Sequence, residues 1–120
     1  MSIDRIQGGP RMSQAVIHNN VVYLAGQVAL AASKSGVAEQ TREVLSRIDA
    51  LLAEAGTDKS KLLAATIWLT DISTFEEMNR LWDAWVVPGA TPARATVATP
   101  ALASPDYKVE IAVTAARGAG

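Results

Sequence analysis

The spacing of the apolar residues changes several times along this chain, and these changes limit the folds it can adopt. Between residues 37 and 56 the spacing is helical, with charges on the opposite face: Val44, Leu45, Ile48, Leu51 and Leu52. In KLLAATIWLTDI, Ala65, Ile67 and Leu69 alternate with Thr66, Trp68 and Thr70, as in a strand. STFEEMNRLWDAW returns to helical spacing through Met78, Leu81, Trp82 and Trp85. The chain therefore combines strands and helices.

Local signals predict where these elements begin and end. Two β-rich segments flank His18-Asn19-Asn20, and asparagine tolerates the left-handed backbone of a tight hairpin turn. Gly56 is the expected stop of the first helix. Ser73 and Glu76 match a capping box at the start of the second helix, and Pro88-Gly89 ends it.

The order of elements predicts an α+β fold. A weaker first strand falls near residues 3–6, and two strands follow the second helix, at residues 93–98 and 107–115. Strands mixed with two amphipathic helices favour one mixed sheet with both helices on one face. We expect one domain spanning residues 1–120.

Composition excludes several classes of function. The chain has no cysteine and one histidine, which argues against disulfides, thiolate chemistry, a metal site and a Ser/His/Asp triad. Its formal net charge of −1 gives no sign of the basic surface that binds nucleic acid or anionic lipid. No apolar run is long enough to span a membrane. We expect a soluble, cytoplasmic protein without nucleic-acid or membrane partners.

One arginine stands among small residues in TPARATV, within a predicted strand. The strand alternation places Arg94, Thr96 and Ala98 on one face, and Glu110 on the second face of the last strand. Arg94 and Glu110 are therefore expected on neighbouring strands of one half-buried face. A structural ion pair is one interpretation. A carboxylate-binding site is the other, because burying an ion pair is a poor way to stabilise a sheet.

The composition of that second face of the sheet is too apolar for a surface exposed to solvent and too polar for the core of a monomer. It carries Thr66, Trp68 and Thr70 beside the small residues of the last two strands. A second copy of the chain is the simplest cover, so we expect a homo-oligomer. Trp82 and Trp85 lie on an apolar helical stripe and are interpreted as packing residues.

TPARATV followed by YKVEIAV, together with HNNVVYLAGQV and TDISTFEEMNRLWDAW, resembles the RidA (YjgF) family of enamine/imine deaminases, and its YoaB-like branch in particular. The resemblance covers essentially the whole chain. It implies a chorismate-mutase-like fold assembled as a homotrimer, with sites between subunits and no cofactor or metal. It also implies that Arg94 binds the substrate carboxylate, that Glu110 positions or activates water, and that Gly26 and Asn79 line the pocket.

The implied reaction is hydrolysis of 2-enamino or 2-imino acids, such as 2-aminoacrylate and 2-iminopropionate, to 2-oxo acids and ammonia. Two pocket positions depart from the family pattern: Met12 replaces an aromatic residue and Thr96 replaces a cysteine. The alternative function is a protein that binds or senses 2-oxo or imino acids without turnover. A ribonuclease is disfavoured, because the sequence has neither a basic groove nor interleaved exposed aromatic residues.

Overall fold

The computed structural model describes residues 2–117, which form one six-stranded sheet and two long helices. In chain order the elements are β1 (Asp4–Gly8), β2 (Ser13–His18), β3 (Val21–Leu24), α1 (Val37–Glu54), β4 (Leu62–Leu69), α2 (Phe75–Trp85), β5 (Ala93–Ala98) and β6 (Val109–Ala116). The strand order across the sheet is β1-β2-β3-β6-β4-β5. All pairs are antiparallel except the parallel pair β4 and β5.

The predicted hairpin is confirmed at β2 and β3. Asn19 and Asn20 have φ values of 52° and 63°, which are left-handed conformations that asparagine accepts more readily than most residues. The register pairs His18 with Val21 across this two-residue turn. The first strand is also confirmed, and begins at Asp4.

Both predicted helices form, but the capping box is wrong. Ser73 lies in a 3₁₀ turn, Ile72–Thr74, where the Asp71 carboxylate accepts hydrogen bonds from the Ser73 backbone N–H (3.0 Å) and hydroxyl (2.7 Å). The helix α2 starts at Phe75, one residue later than the box predicts, and ends at Trp85, three residues before Pro88. The Ser73 hydroxyl bonds to Asp71 within this turn, and this local hydrogen bond competes with capping of the helix.

The core lies between one face of the sheet and the two helices. Val109, Ile111, Val113 and Ala115 of β6 are buried on this face, next to Ala65, Ile67 and Leu69 of β4. The helices contribute Val44, Leu45, Ile48, Leu51, Leu52, Met78, Trp82 and Trp85. The prediction of two helices on one face of a mixed sheet is therefore confirmed, and so is the packing role of Trp85.

The second face of the sheet has no cover within residues 2–117. Glu110, Ala112 and Thr114 of β6 lie there, and the register places Trp68 beside Glu110 and Val97 beside Trp68. Tyr23, paired with Thr114, is 47% exposed and Val97 is 43% exposed. We call this surface the open face. No helix in residues 2–117 has the length and hydropathy needed to cross a membrane.

Candidate functional site

Arg94 lies at the outer edge of the sheet, where β5 meets α2. It pairs with Ala65 of β4, so its side chain is on the helix-covered face. Its Nη1 donates a 2.8 Å hydrogen bond to Asn79 Oδ1. Its guanidinium carbon is 5.3 Å from the Trp82 ring centroid and 5.7 Å from that of Phe75. Aromatic faces and one amide therefore fix an exposed cation, with most of its N–H groups still available.

Thr96 follows Arg94 on the same side of β5 and is paired with Ile67. Its hydroxyl oxygen is shielded from solvent and has no hydrogen-bond partner, and it is the only such side-chain atom within residues 2–117. Buried polar groups in native proteins nearly always have a partner, so this hydroxyl is a candidate contact for a ligand. We call Arg94, Asn79 and Thr96 the guanidinium half-site.

Glu110 is half-buried on the open face, opposite Trp68. Its carboxylate lies directly on Gly26: a Cβ built at Gly26 would overlap a carboxylate oxygen and come within 2.9 Å of Cδ. Desolvation by burial raises the pKa of Glu110 above its ordinary value. Gly26 is therefore required for this placement, since any larger residue would occupy the space of the carboxylate. We call Glu110 and Gly26 the carboxylate half-site.

Buried amides hold the carboxylate half-site in place. Gln27 exchanges two backbone hydrogen bonds with Ile111 (2.8 and 3.1 Å), which ties the loop at Gly26 to the strand that carries Glu110. The fully buried Gln40 accepts from the Lys108 N–H (2.8 Å) and donates to the Ser33 carbonyl (3.0 Å). Through Gln40, the helix α1 therefore holds the loop that follows Gly26 and the segment that precedes Glu110.

Met12 stands apart from both half-sites as a 48% exposed side chain after the β1–β2 turn. It lines a cleft of about 470 Å³, of which Gly26 is another wall. The structure thus places Arg94 close to Asn79 and Thr96, and Glu110 close to Gly26. Met12 lies near the carboxylate half-site.

The expectation that Arg94 and Glu110 share one face is wrong within a single copy of the chain. The strand β4 lies between β5 and β6, and Arg94 pairs with Ala65 whereas Glu110 pairs with Trp68, on the opposite face of β4. The two are two strands apart and three residues apart along β4, which is about 10 Å in each direction. For the same reason, Thr96 and Ala98 belong to the helix-covered face.

Sequence reasoning missed the aromatic partners of Arg94. Phe75, Asn79 and Trp82 follow i, i+4, i+7 spacing and so share one face of α2. Their spacing was visible in the sequence, but only the position of β5 shows that this face meets an arginine. Trp82 is both a core residue, 5% exposed, and a wall of the guanidinium half-site.

Comparison with known proteins agrees with this architecture. The family model described as Endoribonuclease L-PSP matches residues 3–117. The RutC family protein YoaB of Escherichia coli is 46% identical over 116 residues, covering 97% of this chain and 99% of YoaB. The chain belongs to the RidA (YjgF) family. A crystal structure of a YjgF family member from Neisseria meningitidis has a TM-score of 0.94 at 44% identity, covering 100% of this chain and 98% of that one.

A more distant RidA-family relative has a name that states a reaction. The 2-iminobutanoate/2-iminopropanoate deaminase of Rattus norvegicus is 31% identical over 111 residues, covering 88% of this chain and 80% of the rat protein. The family thus includes imine deaminases. The relatives with higher identity, such as YoaB, carry only a family name.

Proposed function

We propose that this protein hydrolyses reactive 2-enamino and 2-imino acids to 2-oxo acids and ammonia. The observation that carries the proposal is the Glu110 carboxylate held against Gly26, with its pKa raised by burial. A raised pKa makes the ionised carboxylate a stronger base near neutral pH. The reaction of the rat relative supports the same assignment.

We infer that one active site combines the two half-sites from different copies of the chain, in a homotrimer. Arg94 and Glu110 of one copy lie on opposite faces of the sheet, so they cannot serve one small molecule together. The open face, with Tyr23 47% and Val97 43% exposed, offers a surface for another copy to cover. Glu110 itself lies on this surface, which supports an active site at the proposed contact.

In this arrangement Arg94 binds the substrate carboxylate and the hydroxyl of Thr96 donates to one of its oxygens. The hydrogen bond from Arg94 to Asn79 fixes the orientation of the guanidinium before the substrate arrives. Charge-assisted hydrogen bonds of this kind contribute about 1.5 to 3 kcal/mol each. The imine carbon is then held in place beside Glu110.

Glu110 takes a proton from water as the water oxygen attacks the imine carbon. Glu110 returns this proton to the nitrogen, the hydroxyl of the adduct gives up the second proton of the water, and the nitrogen leaves as ammonia while a C=O bond replaces the C=N bond. Imine and ketone carbons have the same oxidation state, so the hydrolysis needs no electron acceptor. A positioned general base typically contributes about 10² to 10⁴-fold to the rate.

The test is ammonia release from 2-aminoacrylate and its imine generated in situ. Arg94→Ala should abolish the acceleration, and Arg80→Ala is the matched control because Arg80 is an exposed arginine of α2. If Arg94→Ala keeps wild-type activity, the assignment is refuted. Saturable binding of a 2-oxo acid without acceleration would instead establish the binding or sensing function. An RNA substrate, which the family description suggests, finds little support in a net charge of −1.

A further inference from the structure

Gln40 of α1 is fully buried, although glutamine is mostly an exposed residue in proteins, and it has no part in the chemistry described above. Its amide nitrogen lies within hydrogen-bond distance of the carbonyls of Ser33 (3.0 Å), Ser35 (3.1 Å) and Asp106 (2.9 Å). Its amide oxygen accepts from the Lys108 N–H (2.8 Å). All of these partners are backbone groups outside the helix, so one side chain joins two segments that are distant in sequence.

One of these segments leads into the strand that carries Glu110. Lys108 precedes Glu110 by two residues, and the strand β6 begins at Val109. The Lys108 carbonyl accepts from the Thr70 N–H (3.1 Å), whereas the acceptor for the Lys108 N–H is the side chain of Gln40. At about 3.4 Å per residue, this hydrogen bond lies only about 7 Å along the strand from Glu110. Gln40 therefore fixes the end of β6 on which the position of the carboxylate depends.

The other segment is the loop between Gly26 and α1. This loop begins against β6, because Gln27 exchanges two backbone hydrogen bonds with Ile111 (2.8 and 3.1 Å). Gln40 holds the far part of the same loop through two of its carbonyls. The contact between Gly26 and Glu110 therefore lies between two segments that one buried amide fixes to each other.

An ion pair also joins the two segments, at their surface. Lys34 Nζ is 3.7 Å from Asp106 Oδ2, and both side chains are exposed. Exposed pairs of this kind contribute little, because water screens the charges and both side chains lose conformational freedom. A buried amide whose donors and acceptor are all satisfied holds its partners more firmly, since breaking it leaves several backbone groups unpaired. The link between the two segments therefore depends mainly on Gln40.

We propose that Gln40 is a positioning residue of the carboxylate half-site, which sets the position of the Glu110 carboxylate over Gly26 by fixing the two segments that carry them. This inference rests on the proposed function, and it adds a residue that acts on the chemical step through Glu110. The guanidinium half-site is built on β5 and α2, to which Gln40 makes no hydrogen bond within residues 2–117. Binding of the substrate carboxylate should therefore not depend on Gln40.

The experiment measures kcat and KM of Gln40→Met for the 2-aminoacrylate imine. Methionine has a similar length but cannot replace these hydrogen bonds. We expect kcat to fall by about 100-fold, as for a misplacement of about 1 Å, and KM to stay near that of wild type. Thr41→Val is the matched control, because Thr41 is equally buried and its hydroxyl donates only to the Val37 carbonyl within α1 (2.7 Å). Both variants should lose stability, but only Gln40→Met should lose kcat.

A double-mutant cycle with Gly26→Ala tests whether Gln40 acts through this contact. If both substitutions displace the same carboxylate, the loss of kcat in the double variant should be well below the product of the two single losses. Single losses that multiply would overturn the inference while leaving the proposed function intact. A rise in KM with unchanged kcat in Gln40→Met would do the same, and so would a kcat equal to that of Thr41→Val.

Two further measurements keep the inference testable. If Gln40→Met does not fold, Gln40→Glu replaces it, because a carboxyl group offers at most one donor where the amide offers two, and kcat should again fall with KM unchanged. If wild type hydrolyses no imine, the proposed function fails and amide hydrogen exchange is decisive. Relative to the amides of β4, those of Gln27 and Ile111 should exchange faster in Gln40→Met than in Thr41→Val. Equal exchange in the two variants would refute the positioning role.

Discussion

Adding one methyl group at Gly26 should remove most of the activity while leaving the fold intact. The new Cβ would stand 2.9 Å from the carboxyl carbon of Glu110, whereas ordinary contacts are 3.4–4 Å. The carboxylate oxygen that this Cβ overlaps must therefore retreat by more than about 1 Å, and a displacement of about 1 Å from the reacting geometry can cost about 100-fold. This corresponds to about 2.7 kcal/mol of transition-state stabilisation.

The same substitution should have a small effect on stability. The overlapping group is the end of a flexible side chain, so it can turn away, and we expect a cost of roughly 1 kcal/mol or less. Thermal unfolding checks this. Gly36→Ala is the matched control for activity, because a Cβ at Gly36 meets nothing within 4 Å.

The pH dependence provides an independent test of the Gly26→Ala variant. Burial raises the pKa of Glu110, and a carboxyl group pushed toward water loses part of this effect. The acid limb of the kcat/KM profile, where the base becomes protonated, should then move to lower pH in the variant. Wild-type activity in Gly26→Ala, with an unchanged profile, would refute the role given to the contact between Gly26 and Glu110.

Three further outcomes follow from the same contacts. Glu110→Gln should be more stable than wild type at pH 8, because the burial that raises the pKa of Glu110 disfavours its ionised form in the folded state, and glutamine carries no charge. The difference in Tm should vanish once the pH has fallen through that raised pKa and Glu110 is protonated. Burial raises the pKa of Glu43, but hydrogen bonds from the Ala31 N–H (3.0 Å), Arg47 (2.7 Å) and the Ala32 N–H (2.6 Å) outweigh it and lower the pKa. Glu43→Gln should therefore cost about 1 to 3 kcal/mol at pH 7 in denaturant unfolding, and less as pH falls through the lowered pKa. Val97→Glu on the open face should reduce the sedimenting mass toward the 12.6 kDa of one chain, whereas Ala53→Glu on α1 should not; a wild type that sediments as a monomer would contradict the assembly.

The sequence determined the elements and the core. The helical stripes of α1 and α2 and the alternation in β4 each carry strong contrast between apolar and polar positions, so their buried faces were predictable. Asn19 and Asn20 marked the hairpin because few other residues accept its backbone. Arg94 and Glu110 stood out as charges in strands of otherwise small or apolar residues.

Only the tertiary structure decided which face of the sheet each charge occupies. The strand β5, ARATVA, is small and mostly exposed on both faces, so its alternation carries no signal that distinguishes them. The parallel register with β4 decides which residues of β5 lie on which face of the sheet, and a shift of one residue would exchange the two sets. That β4 lies between β5 and β6 depends on pairing between strands distant in sequence. Such pairing places Arg94 against α2 and Glu110 on the open face, and so divides the predicted site into two halves.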